Sequence, residues 1–305
     1  MFVSPAGYQP VYNPSVPYVG PIYGGLRSGM SVYIQGVIPL EASSFLLNLQ
    51  GGEAEGSDIG FHFSPHLDDS CVVLNNCQGG EWGSEEKIES LPFSKENAFE
   101  IIITIIQEGY QVKVNGQDFH TFLHRLPVET VNALQIGGDV SIQTISFLGG
   151  AVSAGDEGEN LPALSGNAVF YPAAPYAHNF PGGLTPQKTF IIRGLVPPGA
   201  YRFTVNLLVG STQNIAFHLN PRIQEGAVVR NSLMEENWGQ EERDVNFNPF
   251  QEGQYVDFVI RCEAEMFKVF VNGQHMCDYA HRYSTLSEID TLEVAGDIQI
   301  SYVSA

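Results

Sequence analysis

Apolar and polar positions alternate with a period of two along most of this chain, in short runs. The stretches "SVYIQGVI" (31–38), "FLLNLQ" (45–50), "FEIIITIIQ" (99–107) and "YQVKVNG" (110–116) either alternate or are continuously apolar. Clusters of Gly, Pro, Asn and Asp interrupt such runs about every 8 to 12 residues, a spacing that predicts the strands of a β-sandwich. Only "PVETVNAL" (127–134) and "STLSEIDTL" (284–292) could turn helically, and each offers about one turn.

The pattern is written twice. "PIYGGLRSGMSVYIQGVI" from Pro21 returns as "NFPGGLTPQKTFIIRGLV" from Asn179, and "YQVKVNG" from Tyr110 returns as "FKVFVNG" from Phe267. "LHR" at Leu123 matches "AHR" at Ala280, and "IGGDVSIQTISF" at Ile136 matches "VAGDIQISYVSA" at Val294. The offset between partners stays between 156 and 158 residues, far beyond the period of a solenoid repeat. A duplicated domain follows, each copy all-β. The boundaries predicted are a Pro/Tyr-rich tail (1–18), a first domain (19–150), a Pro/Gly-rich linker (151–178) and a second domain (179–305).

Within each copy one strand carries a polar row. In "FHLNPR" (217–222) the residues i, i+2 and i+4 share a face, so His218, Asn220 and Arg222 project together while Phe217 and Leu219 point inward. Pro221 lacks an N–H, which predicts that the strand ends or lies at an edge there. "VVRN" follows after a turn and pairs back, bringing Asn231 into reach, and "WGQEER" adds Trp238, Glu241 and Arg243. The product is a shallow platform of donors and acceptors beside one aromatic ring. It suits a galactose ring, whose C–H face can lie on tryptophan while its axial 4-hydroxyl and its 6-hydroxyl take directed, charge-assisted hydrogen bonds.

Composition excludes several other partners. With 14 Lys and Arg against 34 Asp and Glu, the net charge of −20 leaves no basic surface for nucleic acid or a polybasic membrane contact. No run of 18 apolar residues exists to form a transmembrane segment, and the N-terminus has neither the basic nor the apolar region of a secretory signal. The four cysteines, Cys71, Cys77, Cys262 and Cys277, lack zinc-site spacing and read as free thiols made in the cytosol. His62 and His66 share a face but have no third ligand, so no metal and no cofactor is expected. His124 and His281 read as hydrogen-bonded structural groups.

H-x-N-P-R, then V-x-N, then W-G-x-E-x-R resembles the galectin signature, which His218, Asn220, Arg222, Val229, Asn231, Trp238, Glu241 and Arg243 meet in full. The resemblance covers nearly the whole chain and is to the tandem-repeat galectins. It implies two jelly-roll β-sandwiches binding β-galactoside-containing glycans of glycoproteins and glycolipids, with no reaction. By the same resemblance, His218, Asn220 and Arg222 hold the galactose 4-hydroxyl and ring oxygen, Asn231 and Glu241 hold the 6-hydroxyl, and Trp238 stacks. Arg243 and Glu241 also reach the next sugar. It further implies a cytoplasmic protein exported without a signal peptide.

The first copy departs from this pattern. His62, Asn75, Trp82 and Glu85 remain, but Ser64 stands where Asn is expected, His66 replaces Arg, and Lys87 replaces the final Arg. Serine offers one hydroxyl in place of an amide, and lysine lacks the planar fork of arginine. The expectation is a bivalent, asymmetric lectin whose first site binds more weakly or prefers another glycan. The alternative is a scaffold whose first domain has lost sugar binding. An enzyme is not expected, because adjacent carboxylates such as Glu85–Glu86 and Glu241–Glu242 point to opposite faces of a strand and cannot flank one bond.

Overall fold

Alternation along the strands sorts the side chains. In Met30–Val37, Met30, Val32 and Ile34 enter the core, and in Ile215–Arg222 so do Phe217 and Leu219. The structure is a computed structural model describing residues 10–149 and 168–305 of the chain. Both copies are sandwiches of two antiparallel sheets. In the first, one sheet runs Val11–Tyr12, Ser141–Gly149, Met30–Val37, Ala98–Ile105, Gly109–Val114, Gln117–Leu123. The facing sheet runs Tyr18–Pro21, Ala133–Gly138, Phe45–Gln50, Ile59–His66, Cys71–Gln78, Glu81–Trp82, with Glu86–Ile88 also paired to Cys71–Gln78.

The second copy repeats the order: Val169–Phe170, Gln299–Ser304, Thr189–Leu195, Tyr255–Cys262, Met266–Val271, Gln274–Ala280 against Tyr176–Asn179, Thr291–Gly296, Phe203–Leu208, Ile215–Arg222, Ala227–Met234, Asn237–Trp238. Its counterpart of Glu86–Ile88 shrinks to a single bridge between Arg230 and Glu242. The expected one-turn helices appear as 3-10 turns at Val128–Thr130 and Leu286–Glu288. No helix among the described residues is long and apolar enough to cross a membrane.

Three short segments at the expected tail and linker belong to the sandwiches. Val11–Tyr12 pairs with Ser141–Gly149, while Val169–Phe170 and Tyr176–Asn179 pair with the last and the penultimate strands of the second copy. A Pro/Gly-rich composition hides such short strands, because two to four residues are too few to show a period. Residues 150–167, where most of the expected linker falls, lie outside the described residues, as do residues 1–9 of the tail. By contact, the described chain divides into one unit within 4–165 and another from 166 onward.

Aromatic stacking seats the strand with the polar row. Phe61 stacks on Tyr110 of the opposite sheet at 4.8 Å between centroids, and Phe217 on Phe267 at 5.0 Å. Both phenylalanines are fully buried, each worth roughly 1.5–3 kcal/mol in apolar transfer. A register irregularity interrupts both strands just before the histidine, between Ile59 and His62 and between Ile215 and His218. Such bulges re-aim the side chains that follow. Beyond it, His62 lies opposite Asn75 and His218 opposite Asn231.

Candidate functional site

The site of the second domain begins with a missing hydrogen bond. Pro221 does not mark an edge: Ile215–Arg222 lies between Phe203–Leu208 and Ala227–Met234 and runs one residue past it. A proline there has no N–H to give its neighbour strand. The Asn220 side chain supplies the donor instead, from Nδ2 to the Phe203 carbonyl at 2.7 Å. Its Oδ1 accepts from Arg222 Nε at 2.9 Å. One amide hydrogen of the buried Asn220 therefore remains for the cleft.

Arg222 is oriented in turn, donating through Nη2 to Glu241 Oε1 at 2.9 Å. Arg243 donates through Nε and Nη2 to Glu241 Oε2 at 2.9 and 2.6 Å. These bonds, Arg243 foremost, hold the Glu241 carboxyl below the usual range, so it stays an acceptor. The sequence-level pairing of Glu241 with Arg243 is thus present, with Arg222 as a third member.

His218 is held in one tautomer. Its Nδ1 lies 2.7 Å from Asn206 Oδ1, while Asn206 Nδ2 donates to Glu293 Oε1 at 2.8 Å. The amide nitrogen is engaged with the carboxylate, so Oδ1 accepts and Nδ1 carries the proton. Burial, then the charge of Arg222, pushes the His218 pKa down to about 4. At neutral pH its Nε2 is an acceptor. Trp238 stands beside it, 51% exposed, with ring centroids 4.8 Å apart.

Asn231 donates from Nδ2 to the Gly239 carbonyl at 2.9 Å, and its Oδ1 takes the Ser232 N–H at 2.8 Å. Together these residues line an open cleft of about 550 Å³ with Arg202, Thr204 and Val229. All seven residues expected of this site except Arg243 line the cleft, and Arg243 grips Glu241 at its rim.

The first domain assembles a partial copy. His62 Nδ1 meets Asn48 Oδ1 at 2.6 Å, Asn48 Nδ2 donates to Gln135 Oε1 at 2.7 Å, and the His62 pKa falls to about 4 through burial and then His66. Trp82 is 54% exposed, 4.9 Å from the His62 ring, and Asn75 Nδ2 donates to the Gly83 carbonyl at 3.0 Å. The substituted positions differ. Ser64 Oγ reaches the Phe45 carbonyl at 3.3 Å, longer than the amide does, and this uses its one proton. His66 Nε2 lies 3.3 Å from Ser64 Oγ. Lys87 pairs with Glu89 at 2.8 Å, away from Glu85, which makes no hydrogen bond or ion pair among the described residues.

Sequence reading missed the supporting residues. Asn48 and Asn206 interrupt apolar strands at matching places in both copies, which is a signal visible in "FLLNLQ". Gln135 and Glu293 carry none, since their role exists only through cross-strand pairing of Asn48 with Gln135 and Asn206 with Glu293. Arg125 and Arg282 stood in the repeated "HR" pair. Of that pair, the histidines do bond backbone, His124 Nε2 with the Ile106 carbonyl at 3.1 Å and His281 Nε2 with the Glu263 carbonyl at 2.9 Å. All four cysteines are free and buried. Glu242 engages Arg282 at 2.6 Å while Glu241 engages Arg222 and Arg243, so the adjacent carboxylates have separate partners.

Known proteins resemble this chain in sequence. The profile described as "Galactoside-binding lectin" matches residues 17–147 and again 175–305, and the chain therefore belongs to that family, the galectins. Galectin-4 of Sus scrofa is 46% identical over 99% of both chains, and galectin-4 of Homo sapiens 45% identical over 99% of both. Galectin-8 of Rattus norvegicus is 35% identical over 95% of each. A solved variant of human galectin-16 covers 46% of this chain and all of its own, at 30% identity and a TM-score of 0.43.

Proposed function

We propose that the chain is a bivalent lectin for β-galactosides, with a full site in the second domain and a weaker or altered one in the first. One observation carries the reading. His218 Nε2, fixed as an acceptor through Asn206, stands in the same row as the donors Asn220 and Arg222. An axial 4-hydroxyl satisfies both, giving its hydrogen to the imidazole and accepting from the amide and guanidinium. Asn231 and Glu241 offer the same donor–acceptor combination to the 6-hydroxyl, and Trp238 takes the C–H face. Arg243, on the outer side of Glu241, serves the following sugar.

Lactose and cellobiose differ only in whether that 4-hydroxyl is axial, so titration calorimetry with both tests the reading. Lactose binds and cellobiose does not; equal heats for the two would remove the basis for it. The site binds without turnover, because its carboxylates neutralise arginines and do not flank a bond. Chromatography of lactose after prolonged incubation finds it intact. Family likeness and four unpaired thiols support manufacture in the cytosol with signal-independent export. Fractionation of producing cells and medium, with and without block of the secretory route, tests it.

A further inference from the structure

Next to the second domain's site one guanidinium meets three acceptors at once. Arg282 Nη1 donates to Asn231 Oδ1 at 3.0 Å and to the Gln240 carbonyl at 2.8 Å, and Nη2 donates to Glu242 Oε1 at 2.6 Å. Its carbon sits 4.9 Å from the centre of the buried Tyr279 ring. Among the described residues the cleft lining includes Asn231, Trp238, Gly239 and Glu241 but not Arg282.

We infer that Arg282 is the positioning residue of this site, and that Arg125 has the same task in the first domain. The inference rests on the galactoside reading above. Asn231 Oδ1 faces two donors, the Ser232 N–H and Arg282, so the amide cannot turn over without setting N–H against N–H. Its Nδ2 is thereby committed to Gly239 and the cleft. The bonds to Gln240 and Glu242 pin the chain on both sides of Glu241, three residues after Trp238. Gly239 lies so close over the guanidinium that an added Cβ would come within 2.8 Å of Nη1. A planar fork with several N–H groups can hold these acceptors together; a lysine ammonium on its flexible stem cannot.

The first domain repeats the network at the matching positions. Arg125 Nη1 meets Asn75 Oδ1 at 3.3 Å and the Ser84 carbonyl at 2.5 Å, Nη2 meets Glu86 Oε1 at 2.6 Å, and the group sits 4.4 Å over Phe122. The polar row there has lost Asn and Arg, yet this support is intact. It is therefore tied to the segment bearing the tryptophan, whatever the row contains.

The chain has two tryptophans, so Trp82→Phe in the full-length protein leaves Trp238 as the sole reporter. In that background, Arg282→Met and Arg282→Lys are compared by Trp238 anisotropy without sugar and by lactose titration read from Trp238 emission. Arg282→Met lowers lactose affinity at least ~10-fold, the loss of about one directed bond to a desolvated hydroxyl, and lowers the anisotropy. Arg282→Lys shows both changes in smaller measure. If Arg282→Met fails to fold by circular dichroism, Arg282→Lys decides. A folded variant with lactose affinity within about twofold of its parent, or with weakened binding and unchanged sugar-free anisotropy, overturns the inference. A parent that never responds to lactose would sink the galactoside reading instead, and the sugar-free anisotropy would still judge the positioning.

Discussion

Pro221 and Pro65 each withhold an amide hydrogen from the neighbouring strand, and the residue before each answers with its side chain. Asn220 does so at 2.7 Å and keeps an N–H to spare; Ser64 does so at 3.3 Å and has none. Asn220→Ala should therefore damage fold and site together. It leaves the Phe203 carbonyl short of a partner at ~1–3 kcal/mol, so calorimetric unfolding without sugar shows a lower melting point as well as lost lactose binding. The converse exchange, Ser64→Asn with His66→Arg, supplies both missing groups, and Glu85 is available to receive the new guanidinium as Glu241 receives Arg222. With the second site disabled by Trp238→Ala, lactose affinity of the first rises at least ~30-fold, two directed bonds regained. No gain by titration would place the asymmetry elsewhere. Acid tests His218 and His62. Their pKa values of about 4 lie below the usual value, through burial, so folding stability is full above about 6.5 and falls as pH drops from there toward 4. Lactose affinity stays level down to about pH 5 and is lost near 4, when Nε2 becomes a donor. Undiminished binding at pH 3.5 would exclude an acceptor role for His218.

The element that delivers the tryptophan is a hairpin, and its two versions differ at the tip. Gly79 and Gly80 turn it in the first domain with φ of 60° and 83°, whereas Glu235 and Glu236 take φ of 48° and 64° in the second. Left-handed backbone disfavours residues with a Cβ, by about 1–2 kcal/mol each. Glu235→Asn with Glu236→Gly, the pair such a turn prefers, should raise the melting point of the second domain by a few degrees while lactose affinity stays unchanged. An unaltered unfolding curve would show that the glutamates are not strained. In the opposite sheet the turns at Asn115–Gly116 and Asn272–Gly273 have positive φ throughout, and each asparagine side chain accepts a backbone N–H from the strand paired alongside, Glu100 at 2.8 Å and Asp257 at 3.0 Å. "VNG" announced those turns in the sequence. Nothing local announced the strand Glu86–Ile88, paired in the first domain and reduced to one bridge in the second.

At the scale of the molecule, duplication places two polar rows of unequal chemistry on one chain. Bivalence predicts that the intact protein precipitates or cross-links a multivalent galactoside, and that Trp82→Ala or Trp238→Ala alone abolishes the cross-linking. Light scattering with a lactose-bearing polymer measures it. Persistent cross-linking by Trp82→Ala would mean that the first site contributes nothing to it.

What the residues alone determined is whatever rests on local period and spacing. Period-two alternation against a 156 to 158 residue offset specified two β-sandwiches, and the i, i+2, i+4 rule alone placed His218, Asn220 and Arg222 on one face. Tertiary structure decided what depends on partners distant in sequence. The tautomer of His218 follows from Asn206 and Glu293, 12 and 87 positions apart from their own partners along the chain. The role of Arg282 follows from Asn231, 51 positions away. The short strands inside the supposed tail and linker exist because sheet edges elsewhere accept them. A hydrogen bond's direction is set by both of its ends, and a sequence read locally shows one end at a time.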